Sequence, residues 1–130
     1  MSQENVEIVR KNNDAFRRGD WEALGANIDP DVFARVDPNW PEQCIYGRDA
    51  LVAFLRGVGE SMGPDIRIEE MMDLGDRVLV RFRWHARGSQ SGVEGEQTVS
   101  EISTFRDGRV VFIEYFLEHE QALKAVGLAE

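Results

Sequence analysis

Residues 77–87 read "RVLVRFRWHAR". Val78, Val80, Phe82, Trp84 and Ala86 alternate there with Leu79, Arg81, Arg83, His85 and Arg87. A period of two sends successive side chains to opposite sides of an extended chain. The stretch therefore predicts a half-buried strand with one apolar face. Arginines and aromatics fall on opposite faces, so they form no shared platform for stacking RNA bases.

The same period holds on both sides of this strand. "IRIEEMMDL" (66–74) precedes it, across a tight Gly75-Asp76 turn. "GSQSG" (88–92) predicts a hairpin loop, followed by a long strand from Val93 to Phe105. "RDG" (106–108) supplies another hairpin turn, and "RVVFIEYFLE" (109–118) the last strand. "HEQALKAVGL" (119–128) closes the chain as a short helix.

Upstream, the period is helical. Val6, Val9, Asn13 and Phe16 share one face of a helix from Gln3 to Arg18, with Ser2 as its cap and Gly19 as its end. Ile8, Asn12 and Ala15 flank that stripe. Asp20 caps a second short helix, "WEALGANI" (21–28), which stops before "DPD". Val32–Val36 is a short strand, and Pro38 and Pro41 make the next loop irregular. A third helix runs from Arg48 to Val58, with Leu51, Phe54, Leu55 and Val58 on its apolar face. "GVGESMGPD" (57–65) is expected to end it. Helices first and antiparallel strands after them make an α+β fold with helices on one face of the sheet.

At 130 residues the chain is the size of one domain, with room for a core that needs no staples. Its net charge of −9 repels phosphate backbones, which argues against nucleic acid as a partner. Cys44 is the lone cysteine, so no internal disulfide and no cysteine-based metal site is expected; it reads as a buried or half-buried thiol. "MSQENVEIVRK" lacks the apolar core of a signal peptide, and no apolar run is long enough to span a membrane. The expectation is a cytoplasmic protein with no membrane association.

Two acids stand out. Asp37 lies in "ARVDPNW" (34–40), at a strand end and before a proline. That is ordinary turn chemistry, and it is also where a base at a pocket mouth would sit. Glu101 lies within the long strand, on the solvated face or, if Val99, Ser103 and Phe105 point inward with it, among apolar neighbours. In the second case burial raises its pKa and favours the neutral, proton-donating form. Asn12 and Asn13 pose the same choice between the pocket and the water at the stripe's edge.

The stretches "IVRKNNDAFRRGDWEAL", "DPDV", "GRDALVAFL", "GDRVLVRF" and "TFRDGRVVFIEYFLEHEQAL" together resemble the nuclear-transport-factor-2-like superfamily, and within it the SnoaL-like polyketide cyclases and the ketosteroid isomerases. The resemblance implies one domain over residues 1–130, with a strongly curved, mixed sheet wrapped round the N-terminal helices. The result is a cone with an apolar pocket at its open end. It also sets the inward parity: Val111, Ile113, Tyr115 and Leu117 inside, with Phe112, Glu114 and Phe116 outside. The pocket wall then includes Asn12, Phe16, Trp40, Phe54, Phe82, Trp84, Val99, Ser103, Ile113 and Leu117.

The isomerase's general base is an Asp followed by Pro, which Asp37-Pro38 resembles, and its second acid falls at Glu101. One carboxylate removes a proton beside a carbonyl, while a neutral donor stabilises the oxyanion. The isomerase's Tyr falls at Asn12, and the cyclase's Asp at Tyr115. The implied catalytic set is Asp37, Glu101 and Tyr115. The implied reaction is cofactor-free proton transfer, as in isomerisation or cyclisation, on an apolar carbonyl compound. Two alternatives are a non-catalytic binder of small ligands and an interaction module. Outward Phe112 and Phe116, and the habit of relatives to pair through this face, lead to an expected homodimer.

Other features point elsewhere. "GVGESMG" (57–63) follows a helix and lacks dinucleotide-loop spacing. His85 and His119 have no partners at zinc-ligand spacing, so no metal is expected.

Overall fold

The computed structural model describes residues 2–40, 43–87 and 94–128. The predicted loop 88–92, Val93 and Pro41 lie outside them. Helix α1 spans Ser2–Arg18, so Ser2 joins the helix. Gly19 ends it at φ +69°, a left-handed conformation that costs glycine little. Helix α2 is Trp21–Gly25, and the Asp20 carboxylate caps it by accepting Ala23 N–H at 3.1 Å. α2 is shorter than expected because Ile28 already belongs to strand β1, Ile28–Arg35. β1 carries "DPD" as an irregularity, with its register shifting between Ile28 and Phe33 and Asp31 N–H bonded to Asp29 Oδ1 at 2.8 Å.

Strand β2, Cys44–Tyr46, was not predicted; three residues carry too little periodicity. Cys44 on this strand is exposed, correcting the buried thiol. Helix α3 runs Arg48–Met62, beyond the expected end at Val58. The glycine there serves close packing: a Cβ on Gly59 would stand 3.2 Å from Phe16 Cζ and 3.4 Å from Trp21 Cη2.

Strands β3 (Ile66–Asp73), β4 (Arg77–Arg87), β5 (Glu94–Arg106) and β6 (Arg109–Phe116) follow, then helix α4, His119–Ala125. Among the described residues the sheet is mixed, in the order β2-β1-β6-β5-β4-β3, with β1 and β6 pairing in parallel and the other neighbours antiparallel. Asp107 and Gly108 both take positive φ, +53° and +77°, as the right-handed twist of the β5–β6 hairpin favours.

Two bulges reset the inward parity. In β3 the register shifts at Glu69, so Ile66 and Ile68 pack with the main core and so does Met71, five residues after Ile66. In β6 the shift falls at Val111: Phe105 pairs with Val110, but Thr104 with Phe112. Val110 therefore points inward in place of Val111, which corrects the expected parity at that end of the strand.

α1 and α3 pack on one face of the sheet, with the main core between. α4 covers part of the other face, over Leu79 and Ile102, and Phe116 tucks in beside them. His119 pins α4 there: its Nδ1 is 2.7 Å from Ser100 Oγ, and its Nε2 is 3.7 Å from Glu70. Among the described residues, no helix is long and apolar enough to cross a membrane.

Candidate functional site

The curved sheet and the helices do not close completely, and a cavity of about 90 Å³ remains between them. Its helical wall is Val9, Asn12, Asn13 and Phe16 from α1 and Phe54, Leu55 and Val58 from α3. The sheet wall includes Phe82 and Trp84 from β4, Val99, Glu101 and Ser103 from β5, and Val110, Ile113 and Tyr115 from β6. Trp84 is fixed by its indole N–H, which donates to Gly63 O at 2.9 Å and so ties β4 to the end of α3. Trp40 closes another side, its ring centroid 6.1 Å from that of Phe54 and 6.5 Å from that of Tyr115.

The polar groups of this apolar space concentrate on adjacent strands. Glu101 and Tyr115 are direct cross-strand partners, and Ser103 is two residues along β5 on the same face. Both hydroxyls hydrogen-bond the Glu101 carboxyl. Burial pushes that carboxyl up to about 7, while the bonds from Tyr115 and Ser103 pull it down and only partly offset the burial. Burial, with the Glu101 charge added, holds the Tyr115 phenol well above its ordinary range. The phenol is thus a proton-bearing donor throughout the neutral range, while Glu101 titrates within it.

On the helical wall, Asn12 Oδ1 is buried without a hydrogen-bond partner among the described residues. Buried amide oxygens are rarely left so, because desolvation without a replacement bond is costly. A polar ligand group in the cavity would satisfy it.

Of the thirteen residues expected at the site, eleven line this cavity; Asp37 and Leu117 do not. Asp37 is 8% exposed, and its carboxylate is committed to the backbone. Oδ1 accepts Asn39 N–H at 2.9 Å, an Asx turn, and Oδ2 accepts Leu117 N–H at 2.9 Å. The expected pairing of Asp37 with Glu101 across one cavity is therefore not assembled. Leu117 lies one residue past the end of β6, where strand alternation no longer holds, and packs on the core beside the cavity. Leu24, Ile28 and Val110 line the cavity without having been expected. Leu24 lies on the short helix α2, Ile28 where β1 begins in place of the expected helix end, and Val110 behind a bulge that residue type does not mark. Among the described residues, no group of three His, Cys, Asp or Glu side chains could hold a metal ion.

A helix-filled, curved mixed sheet with an apolar cavity defines the nuclear-transport-factor-2-like class of small-molecule-binding folds. Within it, the chain belongs to the SnoaL-like domain family, whose profile matches residues 9–113. No curated protein matches it in sequence. Solved structures do resemble it. A candidate SnoaL-like polyketide cyclase from Jannaschia sp. CCS1 superposes with TM-score 0.79 at 20% identity, over 98% of this chain and 94% of its own. An NTF2-like protein from Burkholderia xenovorans LB400 gives TM-score 0.75 at 28% identity, over 89% and 90%. TerC, co-crystallised with polyporic acid, gives 0.75 at 22%, over 93% and 96%.

Proposed function

We propose that this domain binds a small, mostly apolar carbonyl compound and moves a proton on it through Glu101, as an isomerase or cyclase would. The observation that carries this is one ionisable carboxyl, set among apolar walls and hydrogen-bonded by Tyr115 and Ser103. A group with a pKa near 7 serves as base and acid in turn. The ionised carboxylate takes the proton from the carbon beside the carbonyl, and the electron pair moves to the carbonyl oxygen. The Glu101 carboxylic acid then returns the proton to the same or a conjugated carbon. Tyr115, which keeps its proton, is the donor on that wall for the oxygen. Asn12 Oδ1 takes a hydrogen bond from a polar group on the ligand. This chemistry requires no metal or organic cofactor.

The base thus shifts from Asp37 to Glu101, since the Asp37 oxygens are already occupied. The cavity also bounds the ligand. An apolar cavity of ~150 Å³ accepts benzene, and drug-sized ligands need roughly 300–1,000 Å³. The space here is smaller than either, so it suits a short-chain or small single-ring compound rather than a steroid.

The test is exchange of α-protons of cyclopentanone and 2-cyclohexenone in D₂O, followed by NMR. Exchange catalysed by the wild type and abolished in Glu101→Gln supports proton transfer. Binding of either ketone with no exchange by the wild type favours the second reading, a non-catalytic binder, which the absence of Asp37 from the cavity also favours. We place the protein in the cytoplasm and expect a homodimer. Its contact would be the outer-face cluster of Phe33, Phe112 and the 73%-exposed Tyr46, with Phe116 no longer part of it. A monomeric mass by light scattering would refute that pairing.

A further inference from the structure

We propose that Asp37 is a positioning residue: its carboxylate fixes Trp40 as a wall of the cavity and so sets the largest ligand admitted. The size limit rests on the cavity being a ligand site, as proposed above; the positioning of Trp40 does not.

Both ends of the Trp40 backbone are held. Its N–H donates to Asp37 O at 2.9 Å, and its carbonyl accepts Gln43 Nε2–H at 2.9 Å. Asp37 Oδ1 closes the turn through Asn39 N–H, and Oδ2 reaches Leu117 N–H, eighty residues away in the chain. That second bond joins the Trp40 segment to the end of β6, two residues beyond Tyr115. Trp84 is anchored through its indole N–H, but among the described residues the Trp40 indole makes no hydrogen bond. The Trp40 ring packs against Phe54 and Tyr115, and its backbone is held by Asp37 and by Gln43. Releasing Asp37 from Leu117 frees the ring on the side of the cavity nearest the Tyr115–Glu101 pair.

Asp37→Asn separates the two bonds. An asparagine has one acceptor oxygen, so one of the two N–H groups must face an NH₂ donor. Asp37→Ser is the second variant: a serine hydroxyl can close the turn but is too short to span to Leu117 as well. Trp40→Ala removes the wall and leaves Asp37 intact.

The first readout needs no ligand. Acrylamide quenching of Trp40, taken as the difference from the same protein carrying Trp40→Phe, should rise about two-fold or more in Asp37→Asn and Asp37→Ser, as a released ring meets solvent. The second readout uses phenol, 2-naphthol and 1-pyrenol as one-, two- and four-ring probes in calorimetry. The wild type should prefer phenol to 2-naphthol by about ten-fold, and all three variants should lose that preference. Unchanged quenching in folded Asp37 variants would overturn the proposal. So would loss of the fold in both of them, since Asp37 would then act in folding rather than positioning. Failure of the wild type to bind any probe counts against the ligand site, and the quenching result still decides the role of Asp37. A size preference lost in Trp40→Ala but kept in both Asp37 variants would also overturn it.

Discussion

Replacing Glu101 with Gln should make the protein more stable at alkaline pH and leave it unchanged in acid. The carboxyl rises from an ordinary 4.5 to about 7 on folding, because burial penalises its charge more than Tyr115 and Ser103 favour it. A raised carboxyl pKa means that the folded state binds more protons between those two values. Stability is fully present below about 4.5 and is lost as pH rises through about 7. At about 1.4 kcal/mol per pH unit, the loss above pH ~8 is roughly 3 kcal/mol. Gln is close in shape and never ionises, so it escapes that loss while its amide oxygen still accepts a hydrogen bond. For a chain of this size the difference amounts to roughly 10 °C in melting temperature. Thermal melts of both proteins from pH ~4 to ~8.5 give the test, read as the difference between them so that other carboxylates cancel. A difference that is constant across that range would refute an inward, desolvated Glu101.

Further expectations concern the same residues and their supports. Tyr115→Phe and Ser103→Ala each remove a bond that favours the charged carboxylate, so each should move the Glu101 midpoint upward from about 7 in a carboxyl ¹³C titration. Trp84→Phe loses the bond to Gly63 O and strands a carbonyl; urea unfolding should show a loss of about 1–3 kcal/mol. Gly108→Ala, at φ +77°, should cost about 1 kcal/mol by the same measure, with the cavity residues unshifted in NMR.

What the sequence revealed followed from how strongly each element repeats. β4 and β5 alternate over long stretches with no break in their shared register, so parity groups Phe82 with Trp84 and Val99 with Glu101 and Ser103; which face is inner comes from the resemblance, and Glu101 by residue type fits either face. β6 broke at Val111, and a bulge leaves no mark in composition, so Val110 was missed. Asp37 illustrates a different limit. Its residue type and the following proline fit a base and a turn equally well, and only the long-range bond to Leu117 N–H separates them. That partner is remote in sequence, and no local pattern could announce it. The β2 strand and the α3 extension share this cause. Three residues and a glycine-bearing helix end are decided by tertiary packing, at Phe33–Arg35 for one and against Phe16 for the other.

If Glu101 moves a proton on its ligand, a small ketone must meet it inside the cavity. The most direct test is an NMR titration of 2-cyclohexenone into protein labelled at the Glu carboxyl carbons and the Val and Ile methyls. The Glu101 carboxyl and the Val99 and Ile113 methyls should shift together, and the carboxyl midpoint should move away from about 7. Shifts confined to surface residues, with the Glu101 carboxyl titrating at its ordinary value with or without the ketone, would contradict that role for Glu101.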